Sequence, residues 1–318
     1  MGIQAAAEVK YRLIHEAVSH DDNVLNISYM CQIAGVSRSG YYAWCDAAPA
    51  RKIREEDDKA DFALILEAYR FRGYKKGAKS IYMRLLHTGV RMNLKKIRRL
   101  MRKYGLFCPI RKPNPYRQMA KALKTSNVAP NIVSRDFTSR GIRKVLLTDI
   151  TYLFYVNGRC YLSTILDAKS HQILAYKLST SLEVQFVLDT VDALIEEHGS
   201  TLDNETIVHS DQGCHYTSYA FIQKLKDVDF VQSMSRKGNC WDNAPQESFY
   251  GHMKDDVQEK ISGCKDYKEV AAAIDDFMDY YNKDRYQWDL LKLSPDEYYE
   301  YLTTGIYPLP LYDPDSKN

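Results

Sequence analysis

Apolar residues recur at helical spacing through the first third of this chain and change to a strand-like pattern after residue 143. Val9, Leu13, Ile14 and Val18 mark an opening amphipathic helix. From Ile27 to Trp44 two short helical patterns meet at Gly35, with Ser28 and Ser37 placed as N-caps. This is helix-turn-helix spacing, in which the second helix offers Arg38 and Tyr41 to a nucleic acid. Residues 52–70 predict another helix, and 77–104 a second helix pair. Its last member carries the stripe Leu94, Ile97, Leu100 and Met101, opened by Asn93 and ended by Gly105. Prolines 109, 113, 115 and 130 then interrupt the pattern, which is linker chemistry.

Beyond the prolines, Lys144–Tyr155, Cys160–Ala168 and His171–Leu178 read as three strands in an antiparallel meander, with a turn at Asn157-Gly158. A helix (Leu182–His198), a short strand (Thr206–His209), a helix (Tyr216–Lys226), a short strand (Phe230–Ser233) and two further helices follow. That element order matches the ribonuclease-H-like fold. The expected class is therefore α+β or α/β, with a helical, helix-turn-helix-like N-terminal region (1–50) and a basic helical segment (51–107). A Pro-rich linker (108–135), a catalytic-type core (136–262) and a helical, aromatic C-terminal extension (263–318) complete the expected organisation.

Charge changes the picture. The formal net charge of +3 conceals a partition, because Ala68 to Arg135 holds 19 Lys or Arg and no Asp or Glu. The remainder carries 25 basic and 41 acidic residues. An acid-free basic stretch is the footprint of a nucleic-acid binder, and its expected contacts are Lys95, Lys96, Arg98, Arg99, Arg102, Lys103, Arg111 and Lys112. No run approaches the ~18 apolar residues of a membrane helix, and the first residues form a charged helix instead of a signal peptide. A cytoplasmic protein without membrane attachment is expected. Seven scattered cysteines without a Cys-x-x-Cys pair favour neither a disulfide framework nor a zinc site.

The candidate chemistry lies in the second half. Asp149 interrupts an apolar strand, where an unpaired carboxylate is costly and needs a cation. Asp211 ends a strand in Ile207-Val-His-Ser-Asp-Gln-Gly213, on the side where α/β sheets bind ligands, with Gly213 permitting a tight turn. Glu247 belongs to the first turns of a helix that Asn243 caps and Gln246 supports in a capping-box pattern. Carboxylates so placed can hold two Mg²⁺ ions, for which Mn²⁺ substitutes, and such ions serve phosphodiester displacement. Lys254, seven residues after Glu247, shares its helix face and suits a neighbouring phosphate. His209, Gln212 and His215 are expected to shape the site by hydrogen bonding, and Trp241 to pack beneath the glutamate helix in preference to lining a DNA groove.

Thirty-five residues separate Asp211 from Glu247. In that spacing Asp149, Asp211 and Glu247 resemble the DDE triad of transposases and retroviral integrases. The words Thr148-Asp-Ile-Thr-Tyr152, His209-Ser-Asp-Gln-Gly213, Ser233-Met-Ser-Arg-Lys-Gly-Asn-Cys-Trp-Asp-Asn-Ala-Pro-Gln-Glu-Ser-Phe249, Tyr280-Tyr-Asn-Lys-Asp-Arg285 and Leu293-Ser-Pro-Asp-Glu-Tyr298 are similar to those of the OrfB catalytic protein of the third family of bacterial insertion sequences. Val36–Trp44 and the basic helix pair are similar to that family's upstream segments, so the resemblance spans nearly the whole chain.

The resemblance implies Mg²⁺-dependent hydrolysis and strand transfer at element ends. It also implies DNA as partner, a homo-multimeric synaptic complex and an OrfA or OrfAB protein from the same element, acting at the bacterial nucleoid. Residues 1–26 lack the heptads of an OrfA zipper, and Asp255 stands where many relatives carry glutamate. The alternatives are a non-catalytic or domesticated DNA-binding regulator and a ribonuclease-H-type nuclease.

Overall fold

The computed structural model describes residues 5–20, 22–109, 128–236, 240–310 and 312. Two compact units emerge, Met1–Leu64 and Ile65–Asn318. In the first, α1 (Ala7–Val18), α2 (Ile27–Ala34) and α3 (Arg38–Asp46) close around Ile14, Met30, Cys31 and Tyr41, followed by the start of α4 (Ala48–Arg70). Asn26, not Ser28, caps α2, accepting the Tyr29 amide at 2.8 Å; Ser37 caps α3 through the Gly40 amide at 3.0 Å. Gly35 turns the chain between them at φ 64°, a left-handed conformation costly for residues with a Cβ. Arg38 is exposed at the start of α3. Tyr41, expected at a nucleic acid, is only 2% exposed and packs at the centre of this small core. The boundary expected after residue 50 falls inside α4.

The second unit is built on a five-stranded sheet of order β3-β2-β1-β4-β5. Strands β1 (Val145–Tyr155), β2 (Gly158–Asp167) and β3 (Ile173–Ser179) form the antiparallel meander, whereas β4 (Ile207–Ser210) runs parallel to β1 and β5 (Val231–Met234) parallel to β4. Strand alternation sorts side chains between two layers. Leu146, Ile165 and Val208 pack with α7 (Val184–His198) and α8 (Tyr219–Asp227). Val145, Leu147, Leu153 and Ile207 pack with α9 (Ala244–Gly263) and α10 (Tyr267–Lys283). Edge strand β3 is blocked by side chains: Asn282 bonds both the amide and the carbonyl of Ile173, and the Tyr267 hydroxyl donates to the Leu178 carbonyl.

Helices α5 (Ala78–His87) and α6 (Leu94–Lys103) form the expected pair, with Ile97, Leu100 and Met101 buried and the Asn93 side chain accepting the Lys95 amide. The basic stretch is not wholly given to solvent. Arg72 pairs with Asp276, Asp279 and Asp284, and Lys75 with Glu259. Tyr74 stacks on Tyr280 at 3.9 Å and donates to Asp276 at 2.7 Å. Lys76, only 3% exposed, donates to the Phe71 and Tyr74 carbonyls. His87 lies over the Tyr286 ring at 3.6 Å and meets Glu297, which belongs to α11 (Pro295–Thr304), at 3.0 Å.

The residues expected as a C-terminal extension likewise belong to the main core. Val270, Ile274, Phe277 and Tyr281 of α10 are buried in the cluster beneath the sheet. Among the described residues no helix is long and apolar enough to cross a membrane. Phe277, wholly buried against Tyr74, Phe249 and Tyr281, gives a direct test. Phe277→Ala is expected to lower unfolding free energy by about 3–5 kcal/mol in urea denaturation. A loss below about 1 kcal/mol would show that α10 is not part of the core.

Candidate active site

Strand register places the two aspartates together. Leu147 of β1 pairs with His209 of the parallel β4, so two residues further on Asp149 and Asp211 come level. Both keep the parity of Leu147 and Ile207, and therefore the sheet face that carries α9. Asp149 is partly covered, its Oδ1 accepting the Ile150 amide at 2.8 Å. Asp211 leaves the end of β4 at the surface and accepts the Gly213 amide at 2.8 Å. A Cβ on Gly213 would lie 2.8 Å from that same Asp211 Oδ1. Glycine is thus needed for the room it leaves the carboxylate, not for a left-handed turn.

The third acid arrives on α9. Glu247 sits in its first turn, half-buried. One turn on, the Tyr250 hydroxyl donates to the Asp149 carbonyl at 2.6 Å and lies 2.9 Å from the Thr164 hydroxyl, while the Gln246 amide donates to Thr164 as well. These buried bonds tie the glutamate helix to β1 and β2 at the level of Asp149, whose β2 partner is Thr164. The expected capping box is not formed. Asn243 stands at the N-cap but makes no cap bond, and Gln246 is drawn to Thr164; a capping box forms instead between Ser294 and Glu297 on α11.

Asp149 feels the charge of both other acids. The Asp149 carboxyl is pushed up to about 7, chiefly by burial and then by the negative charges of Asp211 and Glu247, against the Ile150 amide and the Lys254 ammonium. Asp211, though its side chain reaches the surface, is raised too by the partial loss of water to surrounding groups, opposed by the Gly213 amide. Among the described residues no three His, Cys, Asp or Glu side chains close in tightly enough to enclose an ion unaided. The candidate groups are carboxylates, the donor chemistry of a hard divalent cation.

The nearby histidines are otherwise engaged. Buried His209 meets the Ser233 and Ser235 hydroxyls at 2.9 and 3.0 Å, and burial lowers its pKa; His215 meets the Leu182 carbonyl at 2.9 Å. The Gln212 amide donates to the Ser235 carbonyl at 3.0 Å. His209 thus fastens β4 to the end of β5, and His215 and Gln212 fasten the loop after β4.

The family models place these features in a known context. An integrase core domain matches residues 142–240, a second integrase core model matches 247–301, and an HTH-like domain matches 55–114. The 31 kDa protein of insertion element IS600 from Shigella sonnei is 28% identical over 276 residues, covering 84% of this chain and 96% of that protein. The InsK protein of insertion sequence element IS150 from Escherichia coli is 30% identical over 273 residues, covering 85% of this chain and 92% of that one. The chain belongs to the IS3 family of insertion-sequence transposases. Transposase InsF of insertion sequence IS3A, from the same species, is 29% identical over 230 residues, covering 72% and 78% of the two chains. The catalytic core of BIV integrase overlays 51% of this chain and 98% of its own, with 18% identity and a TM-score of 0.40.

Within this transposase the HTH-like match falls on the basic helices instead of on residues 27–44. Lys95, Arg98, Arg99, Arg102 and Lys103 are exposed on α6, and Lys96 is half-exposed. Arg111 and Lys112 lie outside the described residues. Trp241 is 69% exposed and does not pack beneath α9.

One residue that the sequence motifs did not single out organises the approach to Glu247. Asp242 is fully buried and accepts from the Asn131 amide (3.0 Å), Arg135 Nε (2.8 Å), the Arg236 backbone amide (3.0 Å) and Arg236 Nε and Nη2 (2.8 and 2.9 Å). It joins the segment before β1, the end of β5 and the turn into α9. These arginines hold its carboxyl far below the usual carboxylate range, with the Arg236 hydrogen bond the largest effect. A group with a depressed folded-state pKa contributes its stability fully above the unfolded value, ~4, and loses it as pH falls toward the folded value. Asp242→Asn is therefore expected to cost about 2–3 kcal/mol at pH 7, less than a fully buried pair because both arginines are half exposed. The gap between wild type and variant should narrow below about pH 4 in thermal melts. An unchanged gap from pH 7 to 3 would rule this account out.

Proposed function

We propose that this chain is the catalytic subunit of a DNA transposase, cleaving phosphodiester bonds at insertion-sequence ends and joining the freed 3′-hydroxyl to another strand. The observation that supports the reading is geometric: the β1–β4 register sets Asp149 level with Asp211, and Tyr250 ties the helix of Glu247 to the Asp149 carbonyl. Three acids gathered on adjoining elements are stable as anions only beside cations. Asp149, Asp211 and Glu247 are the residues to hold divalent ions, two Mg²⁺ with Mn²⁺ as substitute. Bound there, such ions activate the attacking oxygen and stabilise the leaving one.

The chain's own groups do the rest. Lys254, about 10 Å along α9 from Glu247, offers its ammonium to a phosphate next to the one attacked. The exposed α6 cations and Arg38 hold the backbone, a binding expected to weaken steeply with salt. His209, Gln212 and Tyr250 keep β4, its loop and α9 in fixed relation, so the carboxylates need little reorganisation. Two element ends must be brought together, which calls for a homo-multimer. An OrfA or OrfAB protein of the same element is the natural supplier of end recognition, and the bacterial cytoplasm, at the nucleoid, the place of action. A non-catalytic regulator is disfavoured, because binding alone requires no such concentration of carboxylates.

Asp149→Asn, Asp211→Asn and Glu247→Gln should each lower cleavage and strand transfer by about 1,000-fold or more in Mg²⁺, with DNA binding and melting temperature near those of the wild type. The measurement is a labelled-oligonucleotide cleavage and joining assay on element-end DNA. Full activity in any one variant would refute the assignment, and cleavage without joining by the wild type would favour a ribonuclease-H-type nuclease. Lys254→Ala should weaken binding and turnover by about 10-fold without abolishing chemistry. Unaltered kinetics in that variant would remove Lys254 from the site.

A further inference from the structure

Trp241 sits in the single 3-10 turn Cys240–Asn243 that runs directly into α9. Its indole is 69% exposed, although the next two residues, Asp242 and Asn243, are 0% and 5% exposed. The other large aromatics that begin α9, Phe249 and Tyr250, are 2% and 4% exposed. The turn presents the indole to solvent while its neighbours are buried. Five donor bonds converge on the adjacent Asp242 carboxylate, fixing the backbone on which the indole stands. The same clamp brings up two guanidiniums, Arg135 and Arg236, whose side chains are 46% and 59% exposed. Two arginines against one aspartate leave net positive charge beside an exposed ring.

An aromatic face flanked by surplus cationic charge is the recognition chemistry of an unstacked nucleobase with its phosphate. The position is six residues ahead of Glu247, roughly 10 Å of helical rise. At ~3.4 Å per stacked base that reach covers about three nucleotides.

We infer that Trp241 is a positioning residue that stacks on an unpaired or extruded base within about three nucleotides of the phosphodiester attacked, with Arg135 and Arg236 attracting the adjoining phosphate. The inference rests on the transposase reading for the place of attack, but not for the stacking. Its role in the reaction is to hold the strand end open and in register with the carboxylates. The indole touches DNA, not the reacting atoms.

The test uses the full chain carrying Asp149→Asn, without divalent metal, so that no chemistry occurs. The probes are a blunt DNA duplex and the same duplex with a three-nucleotide overhang containing 2-aminopurine. The parent should quench 2-aminopurine fluorescence and bind the overhang duplex about 10-fold more tightly than Trp241→Ala does. Blunt-duplex affinity should stay within twofold. Trp241→Phe should restore most of the quenching, since a ring face suffices.

Equal quenching by Trp241→Ala and its parent would overturn the inference. So would an equal loss on blunt and overhang DNA, which would mark a general binding defect, or no rescue by Trp241→Phe. Because cleavage is not read, these outcomes are independent of whether the carboxylate variants lose activity. In the chain with Asp149 intact, Trp241→Ala should raise KM for a fully paired end more than for an end already unpaired. Identical changes on both ends would likewise count against a stacking role.

Discussion

Two carboxylates brought side by side by the register of adjacent parallel strands are the constraint around which the catalytic unit is organised. The pairing of Leu147 with His209 leaves no freedom in where Asp149 and Asp211 fall, and both emerge on the face that α9 covers. Proximity of like charges in partly dehydrated surroundings is unfavourable, and the raised Asp149 carboxyl records it. The surrounding structure resists relaxation. Tyr250 anchors α9 to the backbone of Asp149 itself, Thr164 receives Gln246 and Tyr250 from the neighbouring strand, and His209 bridges to the serines at the end of β5. Such strain is maintained at functional sites by rigid neighbours and is relieved when the intended ligand arrives.

Charge is divided with similar economy. The acid-free basic stretch meets its acids far along the chain, on α10 and just beyond it, where Asp276, Asp279 and Asp284 receive Arg72. Those pairs hold α5 and its surroundings against the catalytic unit. The cations of α6 point the other way in function: they lie on the surface, over an apolar stripe that packs beneath them. One compositional feature thus serves two purposes, internal docking and an outward electropositive face.

Much of this was legible in the residues themselves. The meander, the crossover helices and the α6 stripe follow from periodicity, which reports the side of an element that is buried. The elements that carry the three acids were legible because strand ends and helix starts are recognisable. What escaped was partner choice between distant segments. Asn26 and Ser28 both suit the start of α2, and only geometry selects Asn26. Gln246 satisfies a capping pattern, yet Thr164, 82 positions earlier, competes for it and wins. Tyr41 and Trp241 are both aromatic residues on short helical turns; the first closes a small core and the second stands in solvent, and no local pattern distinguishes them. Asp242 looked like one more polar residue in a motif, because its partners Asn131 and Arg135 lie more than a hundred positions upstream.

That separation has a further meaning for how the molecule comes into being. During synthesis, the meander of β1, which carries Asp149, with β2 and β3 can zip together from local contacts. Asp211, Asp242 and Glu247 leave the ribosome only later, and the parallel β4 must be threaded in beside β1 before any two acids meet. Asp242, at the turn into the glutamate helix, meets an asparagine and an arginine that were made ahead of β1. A nascent chain therefore carries its basic segment before the three acids can come together.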